Sequence, residues 1–191
     1  MADSIAGIDY DKARTITGLD YRKPVPRNER KLRRENITDF KTGLLNERGL
    51  TKELERQILH AKRTGENLTV VFIDADKFKN LNSKYEYHGG DTVLKLIAKA
   101  MNDELRNDDS KGRWGGDEFL ALMSREHRKK SPEIGSLSER INRNLKSNLP
   151  PEINPEDVSV TLVHIDWNGE TPDEFLRQVR RHILDHKSSN D

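Results

Sequence analysis

Between Leu68 and Ile73 the chain reads LTVVFI, an unbroken apolar run rich in β-branched residues. Without polar alternation it reads as a central strand buried by elements packed against it. Candidate covering helices are present. Leu50, Leu54, Ile58 and Ala61 recur at helical spacing between Asn46 and Arg63. Val93, Leu94, Ile97, Ala98, Met101 and Leu105 mark a second long amphipathic helix, and Ile134, Leu137, Ile141 and Leu145 a third. Trp114 and Phe119–Met123 flank a Gly-Gly turn, which predicts a β-hairpin, and Val158–Ile165 reads as another strand. Thr171-Pro172-Asp173-Glu174 is a capping-box pattern with proline at the first helical position, followed by Phe175, Val179 and Ile183. The order strand, helix, hairpin, helix, strand, helix predicts an α/β (α+β) sandwich. Its central sheet is mainly antiparallel and flanked by helices, of the ferredoxin-like or polymerase-palm kind.

A chain of 191 residues holds one ordinary domain and a short appendage. The boundary is expected near residue 36. Residues 1–36 crowd Arg22, Lys23, Arg27, Arg30, Lys31, Arg33 and Arg34 together around Pro24 and Pro26. That pattern suits a solvated tail running into a short polar helix. A patch for nucleic acid or anionic lipid, or a regulatory or dimerising helix, are the alternatives. Residues 37–191 form the expected globular domain. A net charge of +1 gives no overall pull toward nucleic acid or membrane, and the absence of cysteine excludes disulfides and cysteine-based zinc sites. Met1–Gly18 lacks the apolar core of a signal peptide, and no apolar stretch is long enough to span a bilayer. The expected location is the cytoplasm.

Chemistry concentrates in the acidic residues. Asp74 and Asp76 stand where the apolar strand runs out, and Asp117 and Glu118 follow Gly115-Gly116 at the hairpin tip. If the hairpin lies beside the first strand, Asp74 and Asp117 converge at one edge of the sheet. Acidic groups on neighbouring strands can share magnesium ions that stabilise an in-line phosphoryl displacement. The glycines permit a tight turn and close approach of a nucleotide to the backbone. On spacing alone, a surface hairpin with solvated acids remains the alternative. His182 and His186 stand four apart on one helical face, a metal-binding spacing with no third ligand in evidence. Trp114 reads as packing rather than as a base-stacking platform.

Arg113-Trp114-Gly115-Gly116-Asp117-Glu118-Phe119 contains the literal GGDEF signature with an arginine two residues before it. Asp74-Ala75-Asp76-Lys77-Phe78-Lys79-Asn80-Leu81-Asn82 is similar to the "DxDxFKxxN" segment of the same family, and Asp39-Phe40-Lys41-Thr42-Gly43-Leu44-Leu45-Asn46 to its opening "DxLTGLxN". From about residue 37 onward the chain resembles the GGDEF family of diguanylate cyclases, with Gly90-Asp91 at the family's "GD" before a long helix. The resemblance implies that two GTP molecules are condensed to cyclic di-GMP with Mg2+ or Mn2+, in a homodimer whose subunits each hold one GTP. It implies a metal set of Asp74, the Ala75 carbonyl and Asp117, with Glu118 completing it or deprotonating the attacking 3′-hydroxyl. Asn82 and Asp91 would read guanine. The N–H groups of Lys77 and Phe78 would meet the phosphates beside Gly115 and Gly116, with Lys187 adding a cation. Arg106 and Asp109 would form an inhibitory site for cyclic di-GMP.

The match departs from the family pattern in places. Glu86-Tyr87 stands where Gly-His is usual, Ser83 replaces an acid, Lys41 replaces a leucine, and Asp191 falls near the place of a phosphate-binding arginine. A weak or inactive domain that senses GTP or cyclic di-GMP is therefore the alternative to an active cyclase.

Overall fold

The computed structural model describes residues 37–125 and 133–190. Expectations for residues 1–36 and for Asp191 lie outside the described residues. The element order is α1 (Glu47–Thr64), β1 (Asn67–Ala75), α2 (Phe78–Glu104), β2 (Ser110–Gly115), β3 (Glu118–Arg125), α3 (Ile134–Ser147), β4 (Val160–Asp166) and α4 (Pro172–Asn190). The strands form one sheet in the order β2-β3-β1-β4, and each neighbouring pair is antiparallel. In β1–α2–β2 the partner strand β3 inserts between the two strands, the split arrangement of a ferredoxin-like sandwich.

Strand β1 is central because its side chains can be buried on both faces. Val71, Ile73 and Ala75 join Phe119, Ala121 and Met123 of β3 in a core closed by Leu94, Ile97 and Met101 of α2 and Leu137, Ile141 and Leu145 of α3. Leu68, Val70 and Phe72 face the other way. They pack with Leu120 and Leu122 against Leu50, Leu54 and Ile58 of α1 and Phe175, Val179 and Ile183 of α4. The period of two along the strand assigns alternate residues to these two cores. Burying each such aliphatic side chain contributes roughly 1.5–3 kcal/mol, which makes β1 the fixed reference for whatever its C-terminal end carries.

Local chemistry sets the helix ends. The Asn46 side chain accepts a hydrogen bond from the Gly49 N–H at 2.9 Å and starts α1. At α4 the predicted capping box is present. The Thr171 N–H donates to Glu174 Oε2 at 2.9 Å, and the Glu174 N–H donates back to Thr171 Oγ1 at 3.3 Å.

Helix α2 differs from the expectation of a helix opening after Gly90-Asp91, because it runs from Phe78 to Glu104. It is not straight. In a straight helix residues 82 and 90 would lie about 12 Å apart along the axis. Yet a Cβ added to Gly90 would collide with Asn82 Oδ1 and stand 3.1 Å from the tip of the Phe78 ring. The helix therefore turns sharply between them, and Gly90 is the residue whose missing side chain lets the two arms close. Gly90-Asp91 opens the second arm, while the first carries the shorter apolar series Phe78, Leu81 and Tyr85.

Candidate functional site

The C-terminal end of β1 meets the β2–β3 hairpin. Gly115 pairs with Glu118, so Gly116 and Asp117 make the two-residue turn, and the register shifts at Trp114. Gly116 has φ +55°, in the left-handed region where a side chain is strained. Asp74 lies directly opposite Glu118 in the β1–β3 register. Both occupy positions in phase with Phe72 and Leu120, so both side chains belong to the α1/α4 face, where directly opposed Cβ atoms are about 4.5–5.5 Å apart. Glu118 is buried at 6% exposure, and Asp74 is half-buried. The Ala75 N–H donates to the Asp117 carbonyl at 3.4 Å. A strand residue's carbonyl leaves on the same side as its N–H, so the Ala75 carbonyl also faces the turn.

The strand end that carries Asp74 thus lies beside Glu118 and the Gly116–Asp117 turn, and the candidate donors at this edge are all oxygen, as a hard divalent cation requires. Among the described residues no three His, Asp or Glu side chains close on a single point. A cation at this edge would therefore have to draw on backbone as well as carboxylates. Asp76 is separated from the group. Its carboxylate accepts from Ser159 Oγ at 2.5 Å and Thr161 Oγ1 at 2.8 Å, which ties the strand end to β4.

Arg113 shapes the turn. Its Nε and Nη2 donate to the Gly116 carbonyl at 2.8 and 2.5 Å, while Nη1 reaches Asp39 Oδ2 at 3.2 Å. Asp39 in turn accepts from the Thr42 N–H and hydroxyl at 2.9 and 2.7 Å. The segment following Asp39 runs beside β2, with the Leu45 N–H donating to the Lys111 carbonyl and the Arg113 N–H to the Leu45 carbonyl. Sequence reading recorded this arginine but gave it no task. The signal was its fixed offset from the glycine pair.

The loop after β1 has its own geometry. Lys77 has φ +53° and is the one non-glycine residue with positive φ among the described residues. Phe78 then enters α2. Left-handed backbone followed by a helical turn directs successive N–H groups outward, an arrangement that receives anions. The first arm of α2 is pinned by Asp157, which accepts from Lys84 Nζ at 2.6 Å and Tyr85 Oη at 2.5 Å. The Lys84 ammonium and the Tyr85 hydroxyl hold the Asp157 carboxyl below its ordinary value. Sequence reading missed this clamp. The sharp turn in α2 brings Asn82 against Gly90, next to Asp91. Asp91 Oδ1 carries an ion pair with Lys41 Nζ at 2.5 Å.

Arg106 and Asp109 lie in the turn between α2 and β2. Arg106 is exposed, but Asp109 is 4% exposed and its Oδ2 accepts the Arg106 N–H at 2.9 Å. Asp109 is thus more than a solvated helix end, because it fixes the backbone that presents Arg106. With six residues in β2, this turn stands roughly 17 Å along the strand from Gly115. Trp114 packs on the α1/α4 core, and His182 stacks on Phe72 with ring centroids 4.4 Å apart. Lys187 is on α4. Its side chain and those of His186 and of Glu86–His88 lie outside the described residues. Among the described residues no helix is long and apolar enough to cross a membrane.

A family model described as "Diguanylate cyclase, GGDEF domain" matches residues 36–191. Diguanylate cyclase DosC of Escherichia coli (strain K12) is 34% identical over 154 residues, covering 80% of this chain and 33% of that protein. The chain thus spans about a third of the length of that curated relative. The crystal structure of diguanylate cyclase SiaD from Pseudomonas aeruginosa, in complex with its activator SiaC, is 29% identical with a TM-score of 0.64. That likeness covers 94% of this chain and 68% of SiaD. A microbial GGDEF domain described in a novel interaction mode with bis-(3,5)-cyclic di-GMP is 27% identical, with a TM-score of 0.62 over 83% of this chain and 94% of that one.

Proposed function

The chain belongs to the GGDEF diguanylate cyclase family, and we propose that residues 37–191 condense two GTP molecules into cyclic di-GMP with release of two pyrophosphates. The observation that carries this reading is the cross-strand pair Asp74–Glu118 beside the Gly116–Asp117 turn. Two carboxylates facing each other on one sheet face repel, and a cation shared between them would relieve that repulsion. Asp74, Asp117 and the Ala75 carbonyl would hold Mg2+ or Mn2+, with Glu118 completing the set. When bound, the cation neutralises charge that develops on the α-phosphate oxygens.

The chain's own groups position the nucleotide. The Lys77 and Phe78 N–H groups receive the phosphates, Gly115 and Gly116 leave room at the turn, and Lys187 would add a cation. Asn82 and Asp91 engage the guanine edge, and adenine would leave both without matching partners. The chain supplies one such site, whereas ring closure needs two 3′-hydroxyls attacking two α-phosphates. The reactive species is therefore a symmetric homodimer with one GTP per subunit. Cyclic di-GMP then binds at Arg106, which Asp109 holds in place, and slows turnover from the far end of β2. A similar GGDEF domain is described in a novel interaction mode with cyclic di-GMP, which supports product binding by a domain of this kind. Asp74→Ala and Asp117→Ala should each abolish cyclic di-GMP formation while leaving the circular dichroism spectrum unchanged. Near wild-type turnover by either variant would remove the basis of the proposal.

A further inference from the structure

We infer that Lys41 is a base-reading residue of the nucleotide site, donating to guanine O6 while Asp91 accepts the N1 and N2 hydrogens. The inference rests on the guanine pocket proposed above. Lys41 comes from the turn between Asp39 and Gly43, far from α2 in sequence, yet its Nζ lies 2.5 Å from Asp91 Oδ1. Both side chains are largely withdrawn from solvent, at 18% and 30% exposure. The same ammonium stands 6.0 Å from the centre of the Phe40 ring. Asp91 follows Gly90, against which Asn82 Oδ1 is lodged. Lys41 is therefore brought to Asp91, and Asn82 to the neighbouring Gly90, where α2 turns.

The chemistry of that group is directional. Guanine presents N1–H and N2–H donors beside the O6 acceptor, whereas adenine presents a bare N1 beside an N6 donor. A carboxylate that accepts N1–H on Oδ1 places O6 next to whatever sits on that oxygen, and here that is the Lys41 ammonium. An ammonium carries three donors and no acceptor, so it can bridge a carboxylate and a carbonyl oxygen at once. Adenine in the same pose would set its N6 hydrogens against the ammonium and its N1 lone pair against the carboxylate. Both contacts would then be between like partners. A leucine, which the family pattern predicts at this place, could make neither distinction.

The test is calorimetric titration of the full chain with the α,β-methylene analogues of GTP, ITP and ATP, in which the leaving pyrophosphate cannot depart. Lys41→Met should weaken the GTP and ITP analogues alike by at least about tenfold, because inosine keeps O6 and N1–H. The ATP analogue should bind no more weakly, and up to a few-fold more tightly, because the contact between its N6 hydrogens and the ammonium is removed. Lys41→Arg, which keeps the charge and the donors, should stay within a few-fold of wild type, and thermal midpoints confirm that each variant is folded. Unchanged or tighter GTP binding by folded Lys41→Met overturns the inference. Asp91→Asn in the same series separates the two readings. If it erases the preference for GTP while Lys41→Met does not, only the role of Lys41 fails. If neither variant alters that preference, the guanine pocket itself fails.

Discussion

Replacing Arg113 with methionine keeps most of the side-chain volume but removes the fork that ties the hairpin turn to Asp39. The guanidinium makes two hydrogen bonds to the Gly116 carbonyl and one to Asp39 Oδ2, with Arg113 12% and Asp39 15% exposed. A hydrogen bond to a charged group contributes about 1.5–3 kcal/mol, and breaking a buried ion pair costs about 3–5 kcal/mol. Asp39 keeps its bonds from Thr42 and the site is not fully dry, so a loss near 3 kcal/mol, at the low end of that range, is expected. With a urea slope of about 2 kcal/mol/M, the unfolding midpoint should fall by roughly 1.5 M. Arg113→Lys should lose about half as much, since an ammonium cannot span both acceptors. At temperatures where the variant stays folded, cyclic di-GMP formation should drop by about a hundredfold, because the turn carrying Asp117 would no longer be held in place. A midpoint shift corresponding to less than about 0.5 kcal/mol, the range of an ordinary surface substitution, would refute this reasoning.

Two further outcomes follow. Arg106→Ala should weaken cyclic di-GMP binding by at least roughly tenfold and relieve feedback while turnover persists, as read by calorimetry and a product assay; unchanged binding would dismiss the site. Glu104, Asp157 and Glu174 have carboxyls held below their ordinary values, by Arg140, Lys84 and Thr171 respectively. Depressed folded-state values mean that their contribution is fully present above the ordinary carboxylate range of about 4 and is lost as pH falls through the lowered values. The thermal midpoint should therefore be level from neutral pH down to about 5 and decline below about 4; a midpoint unchanged at about pH 3 would contradict it.

Elements that local chemistry specifies were legible in the sequence. The apolar run of β1, the helical spacing of Leu50, Leu54 and Ile58, the glycine pair of the hairpin and the Thr171–Glu174 box each carry their signal within a few residues. The placement of Asp74 beside the hairpin tip followed once β3 was placed beside β1, although the residue directly opposite Asp74 is Glu118 rather than Asp117. What was not legible depends on tertiary contact. Nothing local separates Asp74 from Asp76; Ser159 and Thr161 of a later segment draw the second carboxylate away. The turn in α2 breaks the helical period near Gly90 and leaves the first arm only the short stripe of Phe78, Leu81 and Tyr85. The pairing of Lys41 with Asp91 joins residues 50 positions apart, a distance across which no sequence pattern reports a contact.

The central claim is tested most directly by incubating the chain with GTP and Mg2+ or Mn2+ and separating the nucleotides that result. Cyclic di-GMP with two pyrophosphates per product is expected, with a specific activity that rises with protein concentration as dimers form. Unchanged GTP in the presence of folded protein that binds it would contradict that claim.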